Sequence, residues 1–333
     1  MPFRLVTFWR KYDIILRKQF SLIKGGENMD YIMTTDSLTK MYGEKAAAKD
    51  ISIHIRPGSI YGLIGRNGAG KTTVMRMLSG LSTPTKGSFS MFGKTGNDAM
   101  KEMRNVGVLI EHPGIYPNLS AHKNLKLKAM AMGCDKRRGY IEELLKLVGL
   151  ENVKNKKAGS FSLGMRQRLG IALALIGDPK LIILDEPING LDPQGIVEVR
   201  QRLAKLRDER GITIMISSHI LDELSKLADS YGIIHEGKLI DEFTTEELHR
   251  RCGKYIAVNT ADNAAAVKVI KSAGFNDVTV DEENIIRIGE RLDEVKEIVK
   301  LLVANDLVPD RVGVTDVSLE DYYLSMTGGE HNG

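Results

Sequence analysis

The sequence predicts an α/β core, opened by a small β region and followed by a separate α+β unit. Three patterns carry this prediction. Short apolar runs such as Ile60–Ile64 and Leu181–Leu184 alternate with period-3.6 segments up to about residue 240, the order of strands feeding helices around a sheet. A glycine-rich turn, Gly65-Arg-Asn-Gly-Ala-Gly-Lys71-Thr72, stands between the first of these runs and the helical pattern at 73–78. The alternation breaks near residues 250–254 and restarts with a different order of elements.

Composition bounds the classes. The 333 residues are 42% hydrophobic and 27% charged, which suits a globular chain of two or three domains. No apolar run approaches the roughly 18 residues of a membrane span, so a transport role calls for another polypeptide. Cys134 and Cys252 have neither metal-type spacing nor a near partner, which fits a reducing, cytoplasmic compartment. The formal charge is +4, and residues 1–28, with six Lys/Arg and two Asp/Glu, supply all of it. Residues 254–333 carry eight Lys/Arg against fifteen Asp/Glu. No basic field spans the chain, and a nucleic-acid partner is not expected.

Residues 1–28 mix Phe3, Phe8, Trp9, Ile14 and Phe20 with basic side chains and can be read as an amphipathic helix on an anionic membrane. The preferred reading is different. Lys24-Gly-Gly-Glu-Asn-Met29 back-translates to a purine-rich GGAGG stretch just before an ATG, the layout of a bacterial ribosome-binding site. Translation is expected to begin at Met29, with residues 1–28 a start-site artefact.

From Tyr31 to Ile64, β-favouring segments at 32–35, 51–55 and 59–64 are divided by turns at Gly43 and Pro57-Gly58, which predicts the small β region. The last of these segments, with the apolar strand Ile60–Ile64, runs into G-x-x-x-x-G-K-[ST], the phosphate-binding P-loop. Along Gly65, Arg66, Asn67, Gly68, Ala69 and Gly70 the glycines let backbone N–H groups converge on phosphate oxygens, beside the positive end of the following helix. Lys71 is expected to neutralise β- and γ-phosphates, Thr72 to place its hydroxyl on Mg²⁺, and Thr73 to lie close to the remaining oxygens. Leu181-Ile-Ile-Leu-Asp185-Glu186-Pro187 is a buried-type strand ending in two carboxylates. Asp185 can reach the Mg²⁺ shell while Glu186 faces an attacking water as general base, the two tasks that phosphoryl transfer to water requires.

Between these elements lies Ser160-Phe-Ser162-Leu-Gly164-Met-Arg-Gln-Arg168, leading into an apolar helix at 169–176. This resembles the signature motif of ATP-binding cassette (ABC) transporter ATPases. The order of motifs over about residues 30–240 agrees: Asn189-Gly-Leu-Asp192-Pro193 matches the D-loop, His219 matches the switch histidine, and Tyr42 matches the aromatic that stacks on adenine. The resemblance implies a P-loop NTPase core over residues 29–250, with an antiparallel β subdomain and an α-helical subdomain at about 112–165; the break in pattern near 250–254 sets off an α+β accessory domain at 251–333. It also implies ATP and Mg²⁺ as cofactors and a head-to-tail dimer of two copies. In that dimer ATP lies between one copy's P-loop and the other's Ser162 and Gly164. Asp192 reaches across the interface, and His219 holds the γ-phosphate and the attacking water. The residues agree, since Ser162 opens a helix, a natural phosphate binder, yet Lys71 already supplies phosphate contacts in the same chain.

Two departures carry information. Leu163 and Met165 occupy the third and fifth places of the usual L-S-G-G-Q signature, and the strand at 106–110 ends in Glu111 where the family has a glutamine that senses Mg²⁺ and the membrane partner. Glu111 is therefore expected in the nucleotide and cation shell, with altered metal affinity or coupling, and the loop 111–120 against the membrane partner. Together with the ending Ser318-Leu-Glu-Asp-Tyr-Tyr-Leu-Ser-Met-Thr327, these features resemble the bacitracin-resistance and lantibiotic-immunity branch. Its members are single cassettes at the cytoplasmic face of the bacterial membrane that pair with separate permease subunits to expel peptide antibiotics. An importer or regulatory subunit is the alternative. A translation-factor type would need two cassettes, a chromosome-maintenance ATPase a coiled-coil insert far longer than 85–159, and a kinase or GTPase would lack the signature.

The last unit reads as a strand at 255–259, a helix at 261–273, strands near 278–280 and 285–288, a helix at 292–305, a strand at 312–314 and a helix from Ser318. It shows no metal or catalytic cluster. A structural, dimer-stabilising role is expected, with regulatory ligand binding as the alternative.

Overall fold

A computed structural model of the chain describes residues 30–134, 137–281 and 284–328. The segment that carries the start-site and membrane-helix readings lies outside them.

The strand Ile60–Ile64 is buried along its whole length, as an apolar run flanked by two partners should be. It pairs in parallel with Ser230–His235 on one side and Thr213–Ser218 on the other. Leu181–Leu184 and Val106–Leu109 continue the parallel sheet outward, and Lys238–Thr244 closes the opposite edge antiparallel. Apolar side chains cover both faces: Val74, Met75 and Leu78 pack with Tyr61, Leu63 and Met215, while Leu169, Val199 and Leu203 pack with Ile60, Ile214 and Ile216. Because these strands are parallel, the loop after each emerges on one edge of the sheet, where ligands of such folds bind. The P-loop, Asp185, Glu186 and His219 all follow strands that are neighbours there.

The opening β region is larger than the three predicted segments. Met33–Tyr42 turns at Gly43, whose φ of +60° favours glycine, and pairs with Lys45–Ile51. It also pairs with Lys86–Met91, to which the short strand Lys94–Thr95 is added. Lys45-Ala-Ala-Ala-Lys has helix-forming residues and no alternation to mark a strand. Its small side chains let it run against the P-loop, where a Cβ on Gly70 would lie 2.6 Å from the Ala47 carbonyl oxygen. Lys49 N–H donates to the Gly237 carbonyl (2.7 Å) and Gly237 N–H donates to the Ala69 carbonyl (2.9 Å), tying strand, turn and loop together.

Helices Ala121–Ala131 and Tyr140–Leu147 lie between Glu111 and the signature. The helix Leu163–Ala174 begins six residues before the apolar run that predicted it. Its first turns are polar, so periodicity misses them. The signal is Ser162 at the N-cap, whose hydroxyl accepts from Met165 N–H at 3.3 Å.

Past residue 252 the chain forms a second sheet, all antiparallel, in the order Val278–Val280, Ile286–Ile288, Gly253–Thr260, Pro309–Val317. With helices Asn263–Ser272 and Val295–Val303 this is the βαββαβ order of ferredoxin-like folds. Ile256, Val258, Ile286 and Ile288 face Ala266, Ile270, Ile298 and Leu302 in a core of their own. The last helix, Leu319–Thr327, packs Leu319 and Tyr323 into the main core instead. A half-buried knot clamps it: Tyr322 Oη donates to Asp241 Oδ2 (2.6 Å) and accepts from Arg251 Nη1 (2.7 Å), Arg251 pairs with Asp241, and Phe243 meets Tyr322 edge-on at 5.7 Å.

Burial, reinforced by Asp321, pushes the neighbouring Cys252 thiol up to about 11. Thiolate is the reactive form, so at pH 8 Cys252 is expected to alkylate with iodoacetamide roughly 100-fold more slowly than an unburied thiol. Mass spectrometry of its tryptic peptide over time checks this, and an unburied rate contradicts the packed position.

Candidate active site

Lys71 opens the helix Lys71–Leu78 and is 5% exposed. Its Nζ donates to the carbonyls of Gly65 (2.5 Å) and Arg66 (3.2 Å), so the loop holds its own cation in place. The next residue, Thr72, donates from Oγ1 to Asp185 Oδ2 at 2.8 Å. Asp185 is buried, and its other oxygen accepts from Ser217 Oγ at 2.6 Å. Sheet register explains that contact: Leu184 pairs with Ile216, which sets Asp185 abreast of Ser217 one step on. Ser217 Oγ in turn accepts from Glu186 N–H at 2.9 Å. Glu186 has φ of +48°, a left-handed conformation costly for this residue type, which the bond to Ser217 helps to hold. Its carboxylate lies between the Lys71 ammonium and the His219 imidazole. Oε2 is 2.7 Å from His219 Nδ1, and Oε1 is 3.2 Å from Lys71 Nζ with no donor aligned on it.

A cleft of about 620 Å³ opens over this cluster, lined among others by Tyr42, Asn67, Lys71, Thr73, Glu186 and Glu236. Tyr42 is half exposed, with Lys40 Nζ 5.3 Å from its ring centroid, and presents an aromatic face to a planar ligand. The residues fit a triphosphate and a hard cation. Gly68 and Gly70 have φ of +82° and +109°, backbone conformations that let successive N–H groups turn toward one anion. Thr72 and Asp185 offer oxygen donors, and among the described residues no three His, Cys, Asp or Glu converge on a metal site. A cation here would complete its shell with phosphate and water, the habit of Mg²⁺.

Ser162, Gly164 and Asp192 are not brought to this cleft. They share another surface, where a Cβ on Gly190 would come within 3.1 Å of Leu163 Cδ2 and Gly164 faces Leu191. Asp192 caps the helix Pro193–Arg210, accepting from Gly195 N–H at 3.1 Å. Glu111 also stays outside the cleft. Its φ is +61°, and its carboxylate turns to Nη2 of Arg76, on the helix after the P-loop, in an exposed pair at 2.6 Å. The structure therefore does not join Glu111 to Thr72 and Asp185, because a full opposite charge lies nearer.

The family model described as ABC transporter matches residues 48–189. The bacitracin transport ATP-binding protein BcrA of Bacillus licheniformis is 45% identical over 303 residues, 90% of this chain and 99% of that one. This chain belongs to the ABC transporter ATP-binding proteins. The lantibiotic transport ATP-binding protein SrtF of Streptococcus pyogenes is 46% identical over 211 residues, 63% of this chain and 90% of that one. A solved dimeric, post-hydrolysis ATP-binding cassette bound to ADP and phosphate superimposes with a TM-score of 0.58 at 26% identity, covering 64% of this chain and 98% of that one. The chain is thus a transporter ATPase subunit that binds and hydrolyses ATP, on the α/β cassette fold that the sequence predicts.

Three features of this ABC ATPase escaped sequence reasoning. Ser217 is the first of two serines that end an otherwise largely apolar strand, and its signal was its place two residues before His219. Glu236 and Gly237 lie in the turn that leads from Ser230–His235 to the edge strand Lys238–Thr244, with nothing local to tie them to the P-loop. Ala47 acts through its backbone, which composition does not report.

Proposed function

We propose that two copies of this chain hydrolyse two Mg·ATP in a head-to-tail dimer and drive separate permease subunits at the cytoplasmic face of the membrane. The cargo we propose is a peptide antibiotic of the bacitracin or lantibiotic kind, moved outward. The observation that carries the dimer is the split of the site: Lys71, Thr72 and Glu186 line one cleft, with Asp185 held to Thr72 and His219 to Glu186, while Ser162, Gly164 and Asp192 stand elsewhere on the surface. The dimeric form of the solved cassette supports the same arrangement. The cargo rests on the near full-length identity to the bacitracin transport protein. No helix among the described residues is long and apolar enough to cross a membrane. We divide the chain at about residue 250 into an ATPase domain and a C-terminal accessory domain, each with its own core.

In this mechanism P-loop N–H groups and Lys71 grip the β- and γ-phosphates, and Tyr42 stacks on adenine. Thr72 and Asp185 would hold Mg²⁺, whose chemistry is to offset phosphate charge. Glu186 accepts the proton of the attacking water as its oxygen bonds the γ-phosphorus and the bridging oxygen leaves. His219 fixes the carboxylate through the 2.7 Å contact. Glu111 is proposed to reach the cation shell after leaving Arg76.

Co-expression with the permease subunit it serves in a sensitive bacterium tests the cargo. The parent pair is expected to raise the inhibitory concentration of bacitracin or a lantibiotic at least fourfold, roughly, and the Glu186→Gln pair is not. Equal sensitivity of the two strains contradicts the proposal.

A further inference from the structure

Tyr323 lies 257 residues from Arg66 in sequence, yet its hydroxyl oxygen accepts the Arg66 backbone N–H at 3.3 Å. We propose that Tyr323 is a positioning residue for the P-loop, which makes the C-terminal helix part of the nucleotide site.

Arg66 N belongs to the same peptide group as the Gly65 carbonyl, and that carbonyl accepts from Lys71 Nζ at 2.5 Å. The C=O and N–H of a trans peptide point in opposite directions. One peptide plane is therefore pinned from both sides, by Lys71 on one and Tyr323 on the other. Rotating that plane would pull the Gly65 carbonyl off Lys71, whose ammonium must stay aimed into the cleft. Tyr323 is itself 3% exposed, so water cannot freely replace its hydroxyl.

The helix that carries it is well held. Ser318 and Asp321 form a capping box at its start, and Tyr322 is knotted to Arg251 and Asp241. Pro309–Val317, the last strand of the C-terminal sheet, runs into it with Ser318 alone between. The same helix touches Leu221–Ser225, which follows His219 by one residue. A shift of the C-terminal sheet thus reaches both the P-loop and the switch histidine without crossing a flexible linker.

This inference rests on the reading that the P-loop takes ATP, and the test separates the two. Tyr323→Phe removes one oxygen and keeps the ring. With full-length protein, the Kd for ATP and for ADP and the KM for ATP are expected to rise about threefold to tenfold, the effect of one neutral hydrogen bond, with kcat within twofold of the parent. Tyr322→Phe, which removes the neighbouring hydroxyl from the knot, is expected to leave the Kd within twofold. Equal Kd values for parent and Tyr323→Phe overturn the inference, and so does an equal rise in both variants, which would mean general loosening. Exchange of the Arg66 amide in the parent, followed by NMR, stands even if a variant fails to fold: slow exchange is expected, and an unprotected rate overturns the bond. A parent that binds no ATP would instead overturn the reading of the site.

Discussion

Glu186→Gln is expected to lower the steady-state ATPase rate by about 10²- to 10⁴-fold, the usual contribution of a positioned general base, while ATP binding persists. Glutamine has the shape of glutamate and can keep a contact to His219, now 2.7 Å from Oε2. The bond from the residue 186 backbone N–H to Ser217 does not involve the side chain, so the left-handed backbone is retained. What is lost is a carboxylate able to take a proton from water. Phosphate release at saturating ATP measures the effect. A variant turning over at the parental rate would mean that another group is the base.

Lys71→Ala is expected to weaken ATP binding about 10- to 150-fold, the range given by a charge-assisted hydrogen bond of about 1.5–3 kcal/mol. The loss has two sources. Direct phosphate neutralisation goes, and the Gly65 and Arg66 carbonyls lose their shared donor, so the loop loses the brace that shapes it. Glu186 also loses its cationic neighbour at 3.2 Å. Titration with a fluorescent ATP analogue reads the Kd directly, and an unchanged Kd contradicts the assignment. The two variants separate by phenotype: Lys71→Ala fails at binding, Glu186→Gln after it.

How much of this was legible in sequence depended on whether neighbours in space were also neighbours along the chain. Ile60–Ile64 and Leu181–Leu184 could be read at once, because a strand covered on both faces has no polar positions. The loops after them carry Lys71, Thr72, Asp185 and Glu186 in unbroken motifs. Each element of the C-terminal unit lies within a few residues of its predicted span, since most strands and helices there put apolar residues into one small core. Lys45–Ile51 gave no strand signal because its place is set by backbone contact with Gly70 and Gly237. Glu111 could be placed after its strand, but not aimed: its direction depends on Arg76, 35 residues earlier. Tyr323 was visible as part of a C-terminal ending, and its bond to Arg66 required the fold.

Sedimentation of Glu186→Gln with ATP and Mg²⁺, compared with ADP, tests most directly whether the site is completed by a second copy. A dimer carrying two ATP, falling to monomer with ADP, is the expected result. A species that remains monomeric when saturated with ATP would contradict it.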